Sequence, residues 1–528
     1  MGTPKTVLDL PLSTKDRAPH FLRSNSTQKM GPASLALSAS ALLLLTLAIS
    51  GCKPVGPNYQ RPAPATETPA LYKETGASNV PPPPNPANGS WSPANPSDGM
   101  LKGKWWEIYN DPQLNQYEER IATYNQSLHA ALETYFAARE QVRIARAAFY
   151  PTLSAGPGVN HAKVSSHRPL TIPATSTITN YNDLTLEGQA SWEPDFWGKI
   201  RRTVESAKAA AQASNADLAN VELSLESELA EDYFELRGLD TQKQLLDSDI
   251  KALNDQLDLT RRRLKGGIGT GVDVAQALTQ LDTERAQLID VGIARTEFEH
   301  AIGSIAYYKL SDFNIAADPL EMGSKTVLPT VPTGLPSQLL ERRPDIAAAE
   351  RRAALANAQI GVAISAFYPT ITLGGGGGFE STHGGTWLQG PSSLWSLGGQ
   401  ASELLIDGGL RHAVTQQARD NFEANASTYK NTIVVAFQEV EDKLSDLRIL
   451  EQEEEAERAA VADAQNSLDI SNQRYKGGVT SYLEVTTAEN TLIQNQRTEA
   501  NLKSEQYAKT VELIRSLGGG WDTTQIPK

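Results

Sequence analysis

Ala148-Phe149-Tyr150-Pro151-Thr152 occurs twice in this chain, the second time letter for letter as Ala366-Phe367-Tyr368-Pro369-Thr370. A second pair agrees with the first. Arg263-Leu264-Lys265-Gly266-Gly267-Ile268 returns as Arg474-Tyr475-Lys476-Gly477-Gly478-Val479. The offsets are 218 and 211 residues, which describes one long duplicated unit and not a short solenoid period. Each copy reads as a long helix, a pair of short strands and two very long helices. That order is natural for half of a pseudo-symmetric tube.

Outward from the first copy, Trp105-Trp106-Glu107-Ile108-Tyr109-Asn110-Asp111-Pro112 leads into a helix near Leu114. The pattern predicts that this helix runs to about Phe149, where Pro151 stops it. In the strands that follow, Leu184, Leu186, Gly188, Ala190 and Trp192 share one face; Asp183, Thr185, Glu187, Gln189 and Ser191 share the other. The second copy offers Thr370 to Leu373, a glycine run from Gly374 to Gly378, and Leu394 to Leu405. Glycine weakens strands but is common where a sheet bends or packs tightly. Polar loops, about Ser165 to Asn182 and Ser381 to Ser393, separate the strands.

The longest elements come next. Arg202 to Arg263 holds no proline and only Gly238, and Leu410 to Tyr475 holds neither residue type. At about 1.5 Å per residue these are rods of roughly 90–100 Å. Phe422, Ala426, Tyr429, Ile433, Phe437, Val440, Leu444 and Leu447 recur at an average of about 3.5, the period of helices packed as a coiled coil. Leu218, Val221, Leu225, Leu229, Tyr233, Leu236 and Leu239 repeat the trend. Each rod ends in a glycine turn and returns as a second helix, Val272 to about Ile305 and Tyr482 to about Leu517.

The start of the chain has a different character. Basic residues from Lys5 to Lys29 precede an apolar stretch, Leu35 to Ile49, and the small residues Ser50-Gly51 lead to Cys52. This is the order of a secretory signal, too short for a spanning helix. Residues 53–100 are rich in proline, including the run Pro81 to Pro84, and read as an extended tether. No later stretch is apolar enough for a transmembrane helix, so a mature chain that spans a membrane must do so as a closed β-barrel. The net charge of -14 and the lack of a basic run argue against nucleic acid as a partner. The only cysteine is Cys52, which excludes an intrachain disulfide. His161, His167, His383 and His412 show no ligand spacing, and no nucleophile–base pair or paired catalytic carboxylate stands out, so an enzyme is not expected.

Together these residues resemble the TolC-like outer-membrane efflux channels, in their lipoprotein (NodT-type) branch. The resemblance is carried by Gly51-Cys52, Pro57-Asn58-Tyr59-Gln60-Arg61-Pro62, Trp105-Trp106 and Asn110-Asp111-Pro112-Gln113-Leu114. Further carriers are Trp192 to Lys199, Arg342 to Ile346, Ala363 to Thr370, Ile406 to Arg411 and both Lys-Gly-Gly turns. It implies a mainly α fold with a membrane β-barrel. Long coiled-coil helices and four strands per protomer would trimerise into a 12-stranded barrel and a periplasmic α-helical barrel. The implied layout is a signal peptide over 1–51, a lipidated Cys52 with tether over 52–104, repeats over 105–320 and 321–519, and a tail over 520–528.

The lipobox-like ending Leu47-Ala48-Ile49-Ser50-Gly51-Cys52 implies diacylglycerol and N-acyl lipid on Cys52 and no other cofactor, and Lys53 implies outer-membrane sorting. The implied function is a passive exit duct, partnered by a periplasmic adaptor and an inner-membrane RND-type pump. A periplasmic adaptor, or a structural coiled-coil lipoprotein without a pore, is the alternative. The resemblance places the periplasmic mouth at the duplicated turns. Leu483 would be an apolar constriction, and Thr487 stands where relatives often carry an acidic gate residue. Asp273 and Glu484, aligned across the halves, are the substitute carboxylates; both also fit ordinary helix N-terminal acids. Lys265, Gly266, Gly267, Lys476, Gly477 and Gly478 are the candidate adaptor contacts. Arg342-Arg343-Pro344-Asp345 reads as a helix start with a folding role.

Overall fold

Two side chains cut the first helical stretch to length. The Asp111 carboxylate accepts from the N–H groups of Gln113 and Leu114 at 2.8 and 3.1 Å, and Pro112 fills the first turn of α1 (Pro112–Tyr124). Asn125 then adopts extended backbone and caps α2 (Gln126–Ala147), accepting from Ser127 and Leu128 N–H. The single helix expected from Leu114 to about Phe149 is therefore two. The break is tertiary in origin, because Asn125 Nδ2 also donates to the Ile305 carbonyl at 2.9 Å.

The computed structural model describes residues 53–64, 69, 72–74, 103–163, 180–323, 325–334, 336–521 and 523–526. The signal-like start, Cys52, His167, most of the proline-rich stretch and the loop 164–179 lie outside them. The elements after α2 are β1 (Thr152–Lys163), β2 (Asn180–Trp192), α3 (Lys199–Lys265), α4 (Gly271–Ile305) and a short α5 (Leu339–Arg342). Then come α6 (Pro344–Ser365), β3 (Thr370–Ser381), β4 (Ser393–Ser402), α7 (Leu410–Lys476) and α8 (Tyr482–Ser516). Counterparts match in length: α2 and α6 have 22 residues, α3 and α7 have 67, and α4 and α8 have 35. A 67-residue helix is about 100 Å long.

The strands have 10 to 13 residues: β2 and β3 run past the stretches read from the sequence, and β4 stops short of Leu405. A tilted strand needs about 9–11 residues to cross the hydrocarbon core of a bilayer. They form one antiparallel sheet in the order β1-β2-β3-β4, so β1 and β4 each keep an open edge.

Both passages from strand back to helix are built alike. Gly198 and Gly409 precede α3 and α7 with φ of 82° and 91°, a region open to glycine. Asp195 accepts from the N–H groups of Ile200 and Arg201 and from Arg201 Nε. Asp407 accepts from Gly409 and Arg411 N–H and from Arg411 Nε, and these donors hold its pKa down at about 2. Aromatic residues gather at this end of the sheet. Trp192 Nε1 donates to the Phe149 carbonyl at 2.9 Å, and Trp197 stacks on Tyr368 with centroids 4.9 Å apart.

The helices lie side by side as a single layer. Near the sheet the order is α2–α3–α6–α7, and toward the hairpin turns it is α4–α3–α8–α7. Small residues allow the close packing: Ala347, Ala348, Ala353, Ala356 and Ala358 are buried on α6. Residues 54–64 run without helix or strand and are pinned to this layer. Arg202 donates to the carbonyls of Val55 and Gly56 and to Asn58 Oδ1, and Tyr59 donates to Glu350. A Cβ on Gly56 would stand 2.5 Å from the Gly361 Cα, so only glycine permits this approach. Arg343, buried before Pro344, forms a two-pronged ion pair with Asp345 and reaches Glu439 and the Ser516 carbonyl.

Candidate functional site

The register divides the sheet into two chemically distinct faces. Paired positions put Leu153, Pro157 and Val159 of β1 on one face with Leu184, Leu186 and Trp192 of β2. Ile371, Leu373 and Phe379 of β3 and Trp395 and Leu397 of β4 continue that face. Leu153, Trp395 and Leu397 are each at least 80% exposed in the single chain. The opposite face carries Ser154 and Asn160, then Asp183, Thr185, Glu187 and Gln189, then Thr372 and Glu380, then Ser396 and Gln400. An apolar face in lipid and a polar face around water is the pattern of a membrane β-barrel. The open edges must be paired, because unpaired backbone groups cannot stay in hydrocarbon. Among the described residues no helix is long and apolar enough to cross a membrane.

At the far end of the helices the duplicated turns close identically. Gly266 and Gly477 N–H groups donate to Arg262 and Gln473 carbonyls at 3.0 Å, and Gly267 and Gly478 follow with φ of 73°. Lys265, Gly266, Gly267, Lys476, Gly477 and Gly478 are all exposed here. Beside them Ile268 and Val479 are about as exposed as each other, at 70% and 72%. The two turns are locked together by Arg263. Its guanidinium lies 4.5 Å over the Tyr475 ring and donates to the Lys476 carbonyl.

The gate candidates fall on the first turn of α4 and the first two turns of α8. Leu483 is 56% exposed, and Thr487, one turn on, donates its hydroxyl back to the Leu483 carbonyl. Asp273 sits in a capping box with Thr270, each residue's side chain bonding the other's backbone N–H. Glu484 faces Arg474 at 3.6 Å, both half exposed. The aligned acids therefore have different partners. Val272, which occupies on α4 the place of Leu483 on α8, is exposed as well. Sequence reading missed Val272, although the duplication offset points straight to it.

It also missed a buried acidic knot one layer in. Asp249 of α3, Glu284 of α4 and Glu489 of α8 meet where the two hairpins pack. Burial and mutual repulsion raise Asp249 to about 6 and Glu489 to about 7. Arg497 is the cation that opposes this shift on Asp249 and Glu284. No group of three or more His, Cys, Asp or Glu is arranged to hold a metal ion among the described residues.

The comparisons with known proteins fit this geometry. The family model for outer membrane efflux proteins matches twice, at residues 119–304 and 335–519, one match per repeat. The chain is 28% identical over 490 residues to the toluene efflux pump outer membrane protein TtgC of Pseudomonas putida, covering 92% of this chain and 96% of the relative. It is 27% identical over 489 residues to the outer membrane protein OprJ of Pseudomonas aeruginosa, covering 91% and 95%. Among solved structures, the outer-membrane channel OprN matches with a TM-score of 0.77 and 26% identity, covering 88% of this chain and 99% of that one. The outer membrane protein VceC of Vibrio cholerae matches with a TM-score of 0.72 and 26% identity, covering 79% and 99%. Two-faced strands, long returning helices and a family match in each repeat have one explanation: the chain belongs to the outer membrane efflux protein family.

Proposed function

We propose that this protein is the passive exit duct of a tripartite efflux system in the outer membrane, fed by a periplasmic adaptor and an inner-membrane RND-type pump. The observation that carries the reading is the four-stranded sheet with one apolar face, one polar face and two open edges. Three copies close such sheets into a barrel of twelve strands, and the same threefold closure joins the helical layers into a tube. Paired strands and two helical hairpins per chain speak against a single-hairpin adaptor. Similar proteins are named for toluene efflux, antibiotic efflux and pyoverdine export.

The mouth is then the ring of duplicated turns. Leu483 forms its apolar constriction, with Thr487 behind it; Asp273 and Glu484 supply carboxylates around it, which favour cations. The exposed Lys-Gly-Gly turns and Ile268 and Val479 are the adaptor's contact surface. Cys52 carries the lipid anchor; labelled palmitate incorporated by the wild type and lost in Cys52→Ser checks that part.

Negative-stain electron microscopy of the detergent-extracted protein tests the whole reading. Threefold tubes of about 100 Å or more are expected from the helix lengths. Thin monomeric rods would overturn it.

A further inference from the structure

One cleft in the helical body has a chemistry that a passive duct does not use. It has a volume of about 580 Å³ and lies between α1, α3 and the turn after α8. Trp106, Leu223 and Trp521 give it apolar walls, and Glu118, Glu222 and Glu226 bring carboxylates. Glu118 is 1% exposed, and neither of its oxygens has a hydrogen-bond partner. The Trp106 Nε1 is likewise buried without an acceptor. Glu226 accepts one bond, from Trp105 Nε1 at 2.9 Å. The cation on the rim, Lys104, is taken by the exposed Glu119.

Buried carboxylates without a cation are costly, so they call for a reason. The duplicated copy carries no acids at the corresponding positions. α3 and α7 correspond residue for residue at the 211-residue offset, so Glu222 corresponds to Ile433 and Glu226 to Phe437. In the second repeat Ile433 is core and Phe437 packs against it. The first repeat carries acids where its copy, at the edge of the layer, carries apolar residues. Burial raises all three carboxyls, Glu226 to about 8, which favours their neutral forms while the cleft is empty of positive charge.

We propose that this cleft binds a primary organic ammonium ion with an apolar body. The ammonium donates its hydrogens to the Glu118, Glu222 and Glu226 carboxylates, and the body lies against Trp106, Trp521 and Leu223. An ammonium group offers three donors and one charge, so it can serve more than one acceptor of the cleft at once. Tryptophan faces attract cations, and the volume falls within the usual range for small-molecule sites. The carboxylates are not gathered as metal ligands, which favours the larger organic ion. The inference stands apart from the duct reading, since the site lies in the helical body and not on the polar face of the sheet.

The test is isothermal titration of 2-phenylethylammonium into the detergent-purified protein, with 2-phenylethanol as the neutral isostere. Saturable binding of the ammonium and none of the alcohol is expected. Affinity should rise with pH through the Glu226 value of about 8, because binding displaces protons. Glu118→Gln and, as a half-buried alternative less able to disturb folding, Glu222→Gln should each weaken binding about tenfold or more, the worth of a charge-assisted hydrogen bond. Equal binding of the alcohol, unchanged binding by both folded variants, or no saturation would overturn the proposal.

Discussion

The two repeats have helices of equal length and unequal surroundings. α3 and α7 both have 67 residues, yet α3 buries 22 of them and α7 buries 10. α2 buries two residues and its counterpart α6 buries 14. α4 buries seven where α8 buries 18. In every pair one member lies inside the layer and the other at an edge. A lone chain is thus half of each environment, and Ile289 and Ile293 of α4 and Val434 and Ile449 of α7 are apolar residues left open on the edge helices, surface that a next copy would cover. In a closed threefold ring α7 of one chain meets α2 and α4 of another, and all six repeats regain similar neighbours.

The strongest way to break this comparison is Ile293→Asp. Ile293 is 57% exposed in one chain, so a lone chain tolerates the change, while the ring would have to bury the charge. Loss of heat-resistant trimers on gels is expected, with helix content by circular dichroism kept. Trimers at the wild-type level would show that α4 is not an interface.

A second experiment uses the offset itself. Arg237 of α3 corresponds to Arg448 of α7. Arg237 is buried against Asp240, Tyr233 and the Ala316 carbonyl, and Asp240 also takes Arg295. Arg448 pairs in the open with Glu74. Arg237→Leu should cost about 3–5 kcal/mol by leaving buried partners unsatisfied, and Arg448→Leu about 0–1 kcal/mol, both read by denaturant unfolding.

Asn125→Ala should cost about 1 kcal/mol, by removing the cap of α2. It should also free the Ser127 and Leu128 N–H groups, visible as faster amide exchange in the first turn of α2.

The smallest expected effect is on pH dependence. Glu489 corresponds to Leu278, again an acid in one repeat against an apolar residue in the other. Its folded pKa of about 7 lies above the unfolded value of 4.5, so the folded state holds a proton that the unfolded chain releases. Stability should therefore fall as pH rises from about 4.5 to about 7 and then level off. Glu489→Gln should flatten part of that slope in melting curves; an unchanged slope would mean that Asp249 and Glu284 carry the titration.

Much of the fold was legible because it rests on local rules. The duplicated Tyr-Pro-Thr and Lys-Gly-Gly sites mark where helices stop, and the alternation of Leu184 to Trp192 gives the two faces of β2 that the register shows. Asn125 was not legible as a break, since its decisive partner, Ile305, is 180 residues away. Periodicity likewise locates the apolar stripe of a helix without saying whether a neighbour in the same chain covers it. That is why Arg237 and Arg448 look alike on the page and differ in the molecule. At the mouth, alignment of Asp273 with Glu484 was readable, but Thr270 and Arg474, which give them different roles, emerge only in the folded turn.

The glycine run in β3 has a hydraulic consequence. Gly374, Gly376 and Gly378 fall on the polar face, where Glu187, Gln189 and Ser191 of β2 stand opposite them. For about 15–17 Å, five residues of strand, β3 therefore projects nothing into the bore. With three copies the bore is fluted: three smooth gutters alternate with three ridges bearing Asp183 and Glu187. A solute in such a bore would meet bare backbone along the gutters and carboxylates along the ridges.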